Sequence, residues 1–178
     1  MAKLDPKLPQ KMVQQFDSAD IRSLLFSRGT VLVEGLSDKW VIQEMDGKAA
    51  SAGKGPHLME NEWAVVAMNS SGNTATFVGA AETLGLDYAV LLDGDARSIA
   101  EAILEGKGIV GTDENSLRQN GFFILKGDVD ELFGIEAPNK PLKALERTLA
   151  MEFDKIPAEL REFLSYLEER IRTRPVAP

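Results

Sequence analysis

The chain has no cysteine and a single histidine, His57. The first absence removes disulfides, thiolate nucleophiles and cysteine-based zinc sites together. The second excludes a cage of several histidines. No apolar run is long enough to span a bilayer, and no signal peptide is evident, so the expectation is a soluble, cytoplasmic protein without a membrane partner. A basic surplus is missing too. The net charge is −8, which argues against a basic nucleic-acid glove.

What is present suits a globular protein. The 178 residues are 44% hydrophobic, enough for one domain with a core plus appended helices. The charge is uneven. Residues 1–136 hold 12 basic against 21 acidic side chains, and residues 137–178 hold 8 against 7. A polyanion meeting the acidic part would need divalent cations between the two.

Short β-branched or aromatic runs at Thr30–Val33, Trp63–Met68, Tyr88–Leu92 and Phe122–Leu125 read as buried strands. Helices are expected over Ser18–Ser27, Ser37–Met45, Thr74–Leu84, Arg97–Leu104 and Thr112–Gln119, with Ser37 and Thr112 as caps. One helical turn is expected over Asp128–Phe133, after Lys126-Gly127 turns the chain. From Pro141 onward the pattern is helical, with a break at Pro157. The alternation predicts an α/β fold: a mainly parallel four-stranded sheet flanked by helices, with a C-terminal helical extension. The expected divisions are a lead-in over 1–27, a sheet domain over 28–136 and helices packed on it over 137–178.

The stretch Asp46–Glu62 is small, polar and glycine-rich, and reads as a mobile insertion. It is no P-loop: five residues separate Gly47 from Gly53, and Gly55 follows Lys54 where serine or threonine is required. His57 within it reads as a solvated loop residue. Trp40 and Trp63 sit at core spacing.

The chemistry lies in acids at strand ends. Glu34 follows the first strand, and Asp38 falls in the first turn of the helix after it. Asp93 and Asp95 follow the third strand. Parallel strands place these positions on one edge of the sheet, where ligands bind in open α/β folds. An acid after a strand is often a turn residue or a cap. Four after two separate buried strands point to a cation site instead, because gathered carboxylates repel one another. All-oxygen donors suit Mg²⁺ or Mn²⁺, and a pair of ions about 4 Å apart is a known arrangement for phosphodiester displacement.

LVEGLSD (Leu32–Asp38) and LLDGDA (Leu91–Ala96) together resemble the Toprim domain of topoisomerases, primases and several nucleases. RGTVLVEGLSDKWVIQEM, the VAMNSSGN turn, LGLDYAVLLDGDA, FFILKGDVDELFG and NKPLKAL extend the likeness. In that order they resemble the C-terminal region of OLD-family (overcoming lysogenisation defect) nucleases over most of residues 20–150. The resemblance implies a metal-dependent nuclease acting on DNA, with RNA the less favoured substrate and two metal ions. Glu34 would be a ligand or proton-transfer group, Asp38 the second acid of its motif, and Asp93 and Asp95 the metal-binding pair. Asp130 or Glu131 would match the acid after the last core strand, with Glu131 preferred. Lys140 or Lys143 would stabilise developing phosphate charge, with Lys140 preferred. Arg97 departs from the small hydroxyl residue common in the group, and an arginine there could hold a phosphate. Arg170, Arg172 and Arg174 are further phosphate-contact candidates. Full-length relatives carry an ATPase domain ahead of this region. No Walker motif exists here, so the expectation is either a fragment of such a protein, which the proline-containing start favours, or a standalone relative, with a homodimer possible.

Two other classes compete. A non-catalytic Toprim module would bind DNA or dimerise without cleaving. A haloacid-dehalogenase-type phosphatase also uses Asp-x-Asp, but after its first strand and with threonine or valine where Arg97 stands here.

Overall fold

A computed structural model describes residues 23–135 and 140–173, the side chains of Lys140 and Pro141 excepted. The four apolar runs become β1 (Gly29–Val33), β2 (Trp63–Ala67), β3 (Asp87–Leu92) and β4 (Phe122–Ile124). They form one all-parallel sheet in the order β2-β1-β3-β4. Both sheet faces are covered, so the strands read as continuous apolar runs. The helices are α1 (Leu36–Ser51), α2 (Thr74–Thr83), α3 (Arg97–Gly106), α4 (Glu114–Gln119), α5 (Val129–Leu132), α6 (Lys140–Leu149) and α7 (Ala158–Thr173).

The strand period of two divides the core. Val31, Val33, Val65, Ala89, Leu91 and Phe123 face α1, α6 and α7 through Val41, Ile42, Met45, Ala144, Leu160 and Phe163. Leu32, Val66, Val90, Leu92 and Phe122 face α2, α3 and α4 through Phe77, Ala81, Ala100, Leu104 and Leu117. The β1-to-β2 and β2-to-β3 crossovers run in opposite directions, so a shared handedness requires α1 and α2 on opposite faces. They lie there. Helix α7 belongs to the first core. Phe163 meets Phe123 edge-on at 5.2 Å between ring centroids, and the Tyr166 hydroxyl donates to the Arg118 carbonyl at 3.0 Å. Among the described residues no helix is long and apolar enough to cross a membrane.

The helix after β1 is longer than its sequence suggests. It runs through Gly47 to Ser51, so the glycine-rich stretch begins as helix rather than loop. A mid-helix glycine costs about 1 kcal/mol, which burial of Met45 and Ala49 on the same face outweighs. Beyond it the Leu58 backbone N–H donates to Asp46 Oδ2 at 2.9 Å, pinning the turns that follow. Burial raises the Asp46 carboxyl above its ordinary value. Ile42 and Ala49 take inward positions, while Trp40 is half-buried and outside the core. Trp63 is buried as expected. The N-cap of α1 is Gly35, leaving Ser37 inside the first turn. Asp113, not Thr112, caps α4 by accepting from the Ser116 backbone N–H at 2.7 Å. Of the helix expected over Ser18–Ser27, residues 23–27 are described: 23–25 are helical, and the helix stops there, with Phe26 and Ser27 outside it.

Candidate functional site

Strands β1 and β3 are neighbours, yet the chain leaves them in opposite directions, toward β2 on one side and β4 on the other. Such a reversal opens a crevice at the carboxyl edge of the sheet. Glu34 and Asp93 are the first residues beyond these two strands. They are joined directly: the Asp93 backbone N–H donates to Glu34 Oε1 at 2.9 Å. Asp38 is held from the other side, where the Gly35 backbone N–H donates to its Oδ2 at 2.7 Å. Asp95 is exposed in the short turn Gly94–Ala96.

The loop after β4 closes the crevice. The Gly94 backbone N–H donates to the Gly127 carbonyl at 2.9 Å. A Cβ on Gly94 would stand 2.6 Å from the Lys126 carbonyl oxygen, so only glycine lets the two loops meet backbone to backbone. This approach brings in Asp128, which caps α5 by accepting from the Glu131 backbone N–H at 2.6 Å.

The cluster is strongly coupled. Asp93 is pushed up to about 8, first by burial and then by Glu34, Asp38, Asp128 and Asp95. Asp38 is pushed up to about 6, first by burial, partly offset by the Gly35 N–H, and then by Asp130, Glu34 and Asp128. The structure therefore gathers Glu34, Asp38, Asp93 and Asp95, and adds Asp128 and Asp130. Glu131 is exposed, its carboxylate folded over Gly127. Asp128 was not singled out by the sequence reading. The signal was present, since it is the first acid after β4, as Glu34 and Asp93 are after β1 and β3.

Other candidates scatter. Lys143 is half-buried on α6. Lys140 opens that helix, and its side chain lies outside the described residues. Arg97 is engaged locally: its Nε donates to Glu101 at 2.9 Å and its Nη2 to the Thr112 carbonyl at 2.8 Å. Arg170 pairs with Asp87 at 2.8 Å, at the opposite edge of the sheet. Arg172 is exposed, and Arg174 lies outside the described residues. His57 Nδ1 stands 3.4 Å from Glu60 in the turns after α1.

Among the described residues no three of these acids converge into a ready-made ligand set for a metal. The donor chemistry nonetheless fits a hard divalent cation. Every donor is an oxygen, and the charges that weigh most on Asp93 are all negative. An ion would relieve that repulsion. Magnesium usually keeps several of its waters, which suits carboxylates set too far apart to share it directly.

The shifts set a pH dependence. The Asp93 carboxyl lies near 3.8 when unperturbed and at about 8 in the fold. Between those values the folded protein holds a proton that the unfolded chain has released. Its stability in the absence of divalent metal therefore falls as pH rises through that window. Asp38 adds to the fall up to about pH 6. Thermal melts in chelator should give a lower Tm at pH 8.5 than at pH 5. A Tm that climbs instead contradicts the burial of these acids.

Residues 25–95 match the family model described as the overcoming lysogenization defect protein-like TOPRIM domain. The match runs from before β1 through Asp95. The fold is similar to the solved C-terminal region of the Xanthomonas campestris pv. campestris OLD protein, with a TM-score of 0.64 at 16% identity, covering 84% of this chain and 96% of that one. It is also similar to the C-terminal region of the Burkholderia pseudomallei OLD protein, with a TM-score of 0.61 at 17% identity, covering 82% and 99%. No curated protein matches the sequence.

Proposed function

We propose that the chain, whose residues 25–95 match the OLD-like TOPRIM family model, is a divalent-metal-dependent nuclease module that hydrolyses phosphodiester bonds in DNA. The observation that carries this reading is the gathering of Glu34, Asp38, Asp93, Asp95 and Asp128 at one switch point, with Asp93 pushed up to about 8 first by burial and then by its acidic neighbours. Glu34, Asp93 and Asp95 would hold Mg²⁺ or Mn²⁺, with Asp38 and either Asp128 or Glu131 completing the set. When bound, two such ions activate a water and stabilise the leaving oxygen.

The chain's own residues orient this chemistry. The Asp93 N–H fixes one Glu34 oxygen and leaves the other for a ligand or a proton. The Gly35 N–H fixes Asp38 in the same way. The seam at Gly94 holds the Asp-x-Asp turn against the loop after β4. A lysine on α6, Lys140 or Lys143, would meet the developing negative charge. The same reading places an ATPase domain beside this module in a longer protein, located in the cytoplasm.

Supercoiled plasmid tests it. The purified protein should nick the plasmid with Mn²⁺ or Mg²⁺, and chelator should stop it. Glu34→Ala should reduce nicking by at least about 10²-fold. Cleavage that survives both chelator and Glu34→Ala rules the reading out. A module that binds DNA or dimerises without cutting is the competing reading, favoured by the lack of a converged ligand set among the described residues. DNA or metal binding with no cleavage would support it.

A further inference from the structure

Lys126 lies in the loop after β4 that meets the Asp-x-Asp turn, and its backbone is anchored there. Its carbonyl packs against Gly94 of the Asp-x-Asp turn. Its backbone N–H donates to Glu159 Oε2 at 3.2 Å, and the preceding Leu125 is buried. The head is the opposite. The side chain is 91% exposed, and its ammonium stands 3.9 Å from Glu159 Oε1. An ion pair this open to solvent is worth little, so a phosphate can displace it.

The site needs such a group. A sheet edge that carries Glu34, Asp38, Asp93, Asp95 and Asp128 repels a polyanion on approach, and the chain as a whole carries −8. Arg97, the cation nearest in sequence to the Asp-x-Asp turn, is engaged by Glu101 and the Thr112 carbonyl. Resting on the nuclease reading above, we infer that Lys126 contacts a backbone phosphate of the nucleic acid next to the bond being cut. Glu159 is its resting partner and holds its place while the crevice is empty. Phosphate contacts of this kind position a substrate without reading its sequence.

Fluorescence anisotropy of a labelled DNA duplex, with Ca²⁺ replacing Mn²⁺ and NaCl varied, tests the inference. Lys126→Gln should weaken binding about fivefold at moderate salt and flatten the log–log salt slope by about 1, the signature of one lost phosphate contact. Lys126→Arg should keep the wild-type slope. Glu159→Gln keeps an oxygen for the Lys126 N–H but removes the competing charge, so binding should tighten. Calorimetric Mn²⁺ affinity should be the same in wild type and Lys126→Gln. If Lys126→Gln keeps both the wild-type affinity and slope while the wild type nicks plasmid, the phosphate contact is refuted and the nuclease reading stands. If the wild type neither binds the duplex nor nicks plasmid, both fall.

Discussion

Asp93→Asn will abolish metal-dependent cleavage and at the same time make the metal-free protein more stable. The two effects share one cause. Asp93 is a carboxylate placed among Glu34, Asp38, Asp95 and Asp128, and its proton is retained to about pH 8. Asparagine has the same shape and keeps the backbone N–H that fixes Glu34, but it carries no charge. On the proposed nuclease reading, in which Asp93 is a metal ligand, its loss should reduce nicking by about 10³-fold or more. Relief of repulsion at pH 8 should add about 1–2 kcal/mol after discounting for solvent. For a chain of this size each kcal/mol moves Tm by about 2–4 °C. The fall of Tm with pH should flatten in the variant. Nicking assays and melts in chelator on one preparation check both halves. A variant that loses activity and stability together would mean that Asp93 supports the fold rather than strains it.

Phe163→Ala will have the largest effect on stability. Phe163 is fully buried on α7, meets Phe123 of β4 edge-on, and stacks on Tyr166 with centroids 6.1 Å apart. Truncating a buried phenylalanine costs about 3–5 kcal/mol, enough to lower Tm by roughly 6–20 °C here. Urea unfolding should show one transition with a much lower midpoint. A second transition, or a loss below about 1 kcal/mol, would make α7 an appendage rather than part of the sheet's core.

The strands were legible because a buried parallel strand is written as an unbroken apolar run, as in Val31–Val33 and Val90–Leu92. Their order was not written in any local pattern, but Glu34 and Asp93 were visible as the first polar residues after such runs. What escaped depends on contacts that no local pattern encodes. Helix α1 continues through Gly47 because its far end is buried against the sheet and Asp46 receives a backbone N–H from Leu58, twelve residues on. Composition alone made that stretch look like a loop. The cap at Gly35 was missed because the carboxylate that completes it belongs to Asp38 and reaches back three residues. Helix α6 ends at Leu149 rather than running to Phe153, where a separate short turn begins. Asp128 opened the expected turn Asp128–Phe133, but the resemblance pointed to Asp130 or Glu131 as the acid after the last strand; in the fold Asp128 caps α5. Its nearness to Asp93 comes from the pairing of the loops after β3 and β4.

That seam at Gly94 has a consequence for how the crevice can vary. The loops after β3 and β4, which form one wall of it, are spaced by one amide against one carbonyl, and a Cβ on Gly94 would not fit between them. Surrounding residues can then be exchanged to redecorate the rim while the gauge of that wall stays the same.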